Sequence, residues 1–200
     1  MSRISELLLK YKNIAGERFF EELFRNDEYK AVLGVNADVV LDIGACAGEF
    51  SAYIYDHAGK IYAIEPYSEH YKELASNIKE FDLDKIKSFN IALSRDNDEG
   101  WLSVGNRGSH KLGSKCDNSE KVTTKSLKSF MEDEGIEHVN VLKIDIEDGE
   151  YEVFSAQSFS DVAPKIDFII GEHLGPCDEI LKAQGFIRKE SINNNAIYQR

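Results

Sequence analysis

Residues 39–66 place Asp42, Gly44, Gly48 and Glu65 where a cationic nucleoside can be held. Val39, Val40, Leu41 and Ile43 are a short apolar, β-branched run, as in a buried parallel strand. Glycines at 44 and 48 let the backbone turn tightly and let a ligand approach without a Cβ in its way. A helix starts after the turn, with its free N–H groups facing it. Ile61, Ala63 and Ile64 form a second strand that ends in Glu65. An acid at that place can accept both hydroxyls of a ribose. The glycine spacing is not that of a dinucleotide fingerprint, GxGxxG, which seats a pyrophosphate on a helix N-terminus. Ala45 and Cys46 stand where that fingerprint needs its second glycine, and Asp42 precedes the turn. A carboxylate there repels a pyrophosphate but suits an ammonium or sulfonium ion.

A second group of acids follows the apolar strand that begins at Val139. The chain runs Lys143-Ile144-Asp145-Ile146-Glu147, with Gly149 and Glu150 just beyond. Ligands of open α/β sheets sit at the carboxyl ends of the strands, so these acids share an edge with Asp42, Gly44 and Glu65. Acids packed together there can bind a cation, orient hydroxyls or act as a base, and their repulsion raises a carboxylate pKa. Glu150 has the further reading of a helix-start residue. Asp145 is the first choice for base or substrate positioning. His173, after Glu172 at the end of another strand, is the second, and His110 in a long loop is the third. Asp145, Glu147, Glu172 and His173 have the donor chemistry for Mg²⁺, but nothing in the sequence fixes their spacing, so no metal is assigned.

The elements that must position these residues alternate. Strands are expected at 38–43, 60–64, 86–93, 139–145 and 166–171, with a further strand at 99–104. Helices are expected at 68–80 with Ser68 as N-cap, around Leu127, Phe130 and Met131, from about 149, and at 177–184. Residues 105–119 read as a glycine- and serine-rich loop. Phe186–Glu190 and Ala196–Tyr198 flank three asparagines and read as an antiparallel hairpin. Residues 1–35 carry apolar side chains at helical intervals and read as an N-terminal helical extension or lid, ahead of a domain spanning 36–200.

Two hundred residues with 42% hydrophobic content suit one domain with a substantial core. The net charge of −12 disfavours a nucleic-acid partner. No apolar run reaches the ~18 residues of a membrane span, and the first residues are too charged for a signal peptide. Three cysteines without CxxC spacing fit the cytoplasm rather than a disulfide framework. Nothing here fixes the oligomeric state.

The motifs together resemble the FkbM-type methyltransferases, a class I group that uses S-adenosylmethionine (SAM). The family reads DxGAxxG, then an acid-Pro pair, then KxDxEGxE. The matching residues are Asp42, Gly44, Ala45 and Gly48, then Glu65-Pro66, then Lys143, Asp145, Glu147 and Glu150. Val122-Thr123-Thr124 and Leu127 also resemble the family's approach to the fourth strand. The similarity covers about residues 38–172. Asp148 stands where the family usually has glycine, and Ala156 where a later glycine is common. The resemblance implies a Rossmann-like α/β fold with a mostly parallel sheet, helices on both faces and a C-terminal antiparallel hairpin. It implies O-methylation of a small polyhydroxylated acceptor such as a sugar or glycoconjugate. Gly44, Ala45 and Gly48 would pack on the donor's amino-acid and sulfonium region, Asp42 would favour its positive charge, and Glu65 would hold the ribose. Asn90 or the Ala92 backbone would flank adenine. Glu147, Glu150, Glu172 and His110 would position substrate. The competing readings are a non-catalytic SAM-binding protein and an NAD-type oxidoreductase.

Overall fold

Alternate residues of each central strand enter opposite apolar layers, and this two-residue period generates the three-layer architecture. The structure is a computed structural model that describes residues 29–105, 110–189, 191–192 and 195–200. Strands β1 (Val39–Ile43), β2 (Lys60–Ile64), β3 (Ile86–Phe89), β8 (Val139–Ile144) and β9 (Ile166–Gly171) are parallel. β10 (Ile187–Arg188) and β11 (Ala196–Gln199) complete the sheet in antiparallel fashion, giving the order β10-β11-β9-β8-β1-β2-β3. Val40, Ile61 and Val141 face one layer, which holds α1 (Glu49–Ile54) and α2 (Ser68–Glu80). Leu41, Tyr62 and Leu142 face the other. That layer holds α3 (Leu127–Asp133), α4 (Glu150–Phe154), α5 (Phe159–Val162) and α6 (Asp178–Ala183). The α/β class, the mostly parallel sheet and the closing hairpin are as the sequence implies.

The expected third strand, 86–93, is two strands. The Asn90 side chain donates to the carbonyls of Glu65 and Pro66, both at 2.9 Å, and bends the chain there. Beyond the bend, β4 (Ala92–Leu93) leaves the main sheet and pairs with β7 (Ser119–Lys125). With β5 (Asp98–Ser103) and β6 (Lys111–Gly113) they form a second sheet in the order β4-β7-β5-β6. β6 lies inside the stretch expected to be a plain loop. Ser68 is the first residue of α2 rather than its N-cap, which is Tyr67. The Ser68 N–H and hydroxyl instead donate to Glu120 of β7 at 2.7 and 2.8 Å, so the second sheet caps the helix.

The readings for residues 1–28 lie outside the described residues. Within 29–35, Lys30–Gly34 is a 3-10 turn. Tyr29 and Val32 are buried in the α1–α2 layer, with the Tyr29 ring 4.9 Å from that of Phe50. Among the described residues, no helix is long and apolar enough to cross a membrane.

Candidate active site

Because β2, β1 and β8 are neighbours, their carboxyl ends bring Glu65, the Gly44 turn and Asp145 side by side. Gly44 has φ +77, and a Cβ there would lie 1.9 Å from the Asp145 carbonyl oxygen. Only glycine fits such an approach. The Gly44 and Ala45 N–H groups donate to the Ile64 carbonyl at 2.9 and 3.0 Å, and the Asp145 N–H donates to that of Ile43 at 3.0 Å. Gly48, at φ +98, then turns the chain into α1. Glu65 clamps the loop from β2. One of its oxygens accepts the Cys46 N–H at 2.9 Å and the other the Tyr67 N–H at 2.8 Å. Each oxygen keeps a lone pair for a ligand. Burial pushes the Glu65 carboxyl up to about 7, against the pull of these donors.

Asp42 lies beneath the loop, fully buried, and is not part of the cavity wall. It accepts the Ser51 hydroxyl at 2.6 Å and pairs with Lys143 Nζ at 3.3 Å. Asp42 and Lys143 are register partners on β1 and β8. Lys143 also donates to the Gly44 carbonyl at 2.7 Å, so the pair holds the glycine turn from below. Asp42 therefore acts on the cavity through its field rather than by contact, adding to burial in raising the carboxyls of Glu49 and Glu65. The lone lysine in the apolar run Val139–Ile144 was the signal for a buried pair.

Above the loop is a cavity of about 960 Å³. Ala45, Glu65, Asp145, Glu147, Glu172, Ala92 and His110 all line it. Asn90 does not; it holds the turn after β2. His110 sits against Tyr67, with ring centroids 4.3 Å apart, and against His70 at 5.0 Å. Burial and the neighbouring His70 hold His110 below the usual histidine range. It therefore offers an aromatic, uncharged face rather than a cation. Eight carboxylate side chains line the cavity against two lysines, and Lys143 is already paired with Asp42. Such a wall suits a cationic ligand. One of the eight, Glu49, was missed in the sequence; its place just after the glycine turn was the available signal.

The loop after β8 carries the remaining candidates. Glu147 and Asp148 are both left-handed, at φ +55 and +74. A glycine at 148 would adopt this without cost, and aspartate is among the few other residues that tolerate it. The departure from the family motif therefore leaves the turn in place. Asp148 reaches Lys111 of β6 at 2.5 Å and stands 3.7 Å from His173. Glu150 does not line the cavity; it accepts the Ile146 N–H at 2.8 Å and pins the turn. His173 is half-exposed, 3.7 Å from Glu172, and outside the cavity wall. Among the described residues, no three His, Cys, Asp or Glu side chains are grouped to hold a metal.

The raised carboxyls have a consequence for stability. Burial lifts Glu49 as well as Glu65 to about 7 in the folded chain. Unfolded, both titrate near the ordinary value, about 4.3. Between these values the folded protein binds more protons, so stability falls as pH rises from about 4.3 to 7. The expected loss is up to about 4 kcal/mol per group. Thermal melts of ligand-free protein across that window should drop, and Glu49→Gln/Glu65→Gln should flatten the profile. A flat wild-type profile would refute the assignment.

The residues fit SAM. The wall is acidic, the glycine turn offers backbone without side chain, Glu65 keeps lone pairs for hydroxyls, and Tyr67 and His110 offer ring faces to a base. The sequence profile of the methyltransferase FkbM domain matches residues 42–196. No curated protein sequence matches the chain. The fold is similar to that of methyltransferase FkbM from Methylobacillus flagellatus KT, with TM-score 0.59 and 12% identity, covering 82% of this chain and 44% of that one. The chain thus spans less than half of that relative's length. A methyltransferase candidate from Streptococcus mutans in complex with S-adenosylhomocysteine gives TM-score 0.51 and 6% identity, covering 88% and 94% of the two chains. An rRNA methylase from Streptococcus thermophilus gives 0.50 and 9%, covering 88% and 93%.

Proposed function

Because the chain belongs to the FkbM methyltransferase family and SAM is its cofactor, we propose that it methylates a hydroxyl of a small polyhydroxylated acceptor, such as a sugar or glycoconjugate. The observation that carries this reading is the convergence of the glycine turn, Glu65 and Asp145 on one cavity at three adjacent strand ends. Bound SAM would supply an electrophilic methyl group. Glu65 accepts the ribose hydroxyls, and Gly44 and Ala45 leave room for the amino-acid tail. Tyr67, Ala92 and His110 flank the base. Asp145 would orient the acceptor hydroxyl and take its proton; the O–CH3 bond formed would replace the donor's S–CH3 bond, with S-adenosylhomocysteine leaving as the thioether. Glu147 and Glu172, in the same wall, accept further acceptor hydroxyls. The acidic wall disfavours a phosphate-bearing acceptor, so a nucleic-acid substrate is not part of this reading, although one similar fold is an rRNA methylase. Cytoplasmic residence belongs to the same proposal and is supported by three free cysteines.

A radiolabelled methyl-transfer screen over sugars, glycoconjugates and RNA tests the reading. Label in a base-stable methyl ether of a small acceptor is the expected result. Label in RNA, or on nitrogen or carbon, would overturn the acceptor assignment. SAM binding without turnover on any class would favour a non-catalytic binder. For the ribose contact, Glu65→Gln should weaken S-adenosylhomocysteine binding by about 1–3 kcal/mol, the usual scale for hydrogen bonds to a charged group, and because its amide can accept only one of the two loop N–H groups its melting point is measured alongside. Unchanged affinity by calorimetry would sink that contact.

A further inference from the structure

Glu49 is the first residue of α1, one past the left-handed Gly48. The residue lines the cavity, yet only 8% of it is exposed, and among the described residues Oε1 has no hydrogen-bond partner. Its buried acidic neighbours have their charge answered within the protein: Asp42 takes the Ser51 hydroxyl on one oxygen and faces the Lys143 ammonium at 3.3 Å with the other, which has no closer hydrogen bond, and Glu65 takes two backbone N–H groups. Glu150 also has an oxygen without a partner, but it lies outside the cavity wall. A buried carboxylate needs either a proton or a cation. Lys143 lies close enough to lower the Glu49 carboxyl's pKa, but it is spent on Asp42 and the Gly44 carbonyl, and burial outweighs it.

We propose that Glu49 anchors the α-ammonium group of SAM, completing its charge pairing only when the donor's amino-acid tail enters the cavity. This inference rests on the donor reading above. The position follows from how the cavity is divided. Glu65, at the end of β2, is committed to the ribose side of the turn, and Asp145, at the end of β8, to the acceptor side. Glu49 lies where the glycine turn enters α1, beside the turn over which the amino-acid tail would pass. The tail offers one cation besides the sulfonium, and Glu49 offers a carboxylate whose Oε1 has no partner among the described residues, its own backbone N–H being the carboxyl's donor. A pair desolvated in this way is strong because the donor supplies the missing charge and hydrogens together. Burial meanwhile keeps the empty site tolerable by raising the carboxyl to about 7, so that a proton takes the cation's place.

The test is a cycle between one side chain and one ligand group. Wild-type protein and Glu49→Gln are titrated with S-adenosylhomocysteine and with its analogue lacking only the amino group. The wild type should prefer the amino ligand by about tenfold or more, the scale of a lost charge-assisted hydrogen bond. In Glu49→Gln the preference should fall to within about twofold, while affinity for the deamino analogue stays near that of wild type. Above about pH 7, where Glu49 would lose its proton in the empty site, the ligand-free variant should melt no lower than wild type, because an uncompensated buried charge has been removed. Equal weakening of both ligands would mean a structural role and overturn the proposal. So would a wild type that does not distinguish the two ligands, a comparison that needs no variant to fold. Failure of the wild type to bind S-adenosylhomocysteine at all would instead sink the donor reading itself.

Discussion

Lys143→Met should cost about 3–5 kcal/mol of stability, the range for removing one partner of a buried ion pair. Asp42 is fully buried, and among the described residues it keeps only the Ser51 hydroxyl as a side-chain partner after the substitution. The Gly44 carbonyl loses its lysine donor as well. Burial works against the lysine's charge, but Asp42, Tyr29 and Asp145 outweigh it and hold Lys143 above the ordinary lysine value. With a raised folded pKa, its contribution is fully present below the unfolded lysine value and is lost only as pH rises through the folded one. Neutral buffers therefore report the full effect. Urea denaturation at pH 7 checks it, and Lys143→Met/Asp42→Asn should recover much of the loss. A single-variant loss below about 1 kcal/mol would mean that the pair contributes no more than a surface ion pair does.

Asp145→Asn should keep SAM binding and lower turnover by roughly 10²-fold or more, the scale for a lost general base. The side chain lies in the cavity wall, while its own N–H is committed to the Ile43 carbonyl. The rival reading, a residue that merely starts the helix, is weakened by the hydrogen bonds nearby. Glu150 accepts the Ile146 N–H and organises that turn, and no capping bond from Asp145 is needed. If Asp145 did act only as a cap, asparagine would serve almost as well and turnover would barely change. Weakened SAM binding with unchanged turnover at saturating SAM would move Asp145 into the donor pocket. His173 stands outside the wall, so His173→Ala should be the milder change in the same assay.

The parallel core was legible because its strands are short apolar runs separated by helix starts and glycine turns, and such signals are local. The expected bounds of β2, α2 and β9 match those observed. The second sheet was legible only in β5, expected at 99–104 and observed at Asp98–Ser103; β4, β6 and β7 were not read as its strands. β7 reads Ser-Glu-Lys-Val-Thr-Thr-Lys, with only Val122 and Thr124 buried, so its apolar alternation is faint. Its strand character comes from pairing with β5 on one side and β4 on the other, a contact between distant segments.

The same division runs through the site. Asp42, Gly44, Ala45, Gly48, Glu65 and Asp145 could be named from type and spacing, because a glycine turn and strand-end acids declare a ligand edge before any folding is known. Which of them face the cavity was decided by strand register and burial. Register places Asp42 opposite Lys143 and sinks both beneath the turn. The bend at Asn90 takes that side chain out of the wall and carries Ala92 into it. Return of the chain through the second sheet brings His110 and Lys111 over the strand ends, from more than thirty positions away from Asp145. Side-chain chemistry is written residue by residue, so the sequence determined what the edge can do. Charge pairing and desolvation depend on neighbours remote in the chain, so only the tertiary structure decided which acids are spent on the protein and which remain for a ligand.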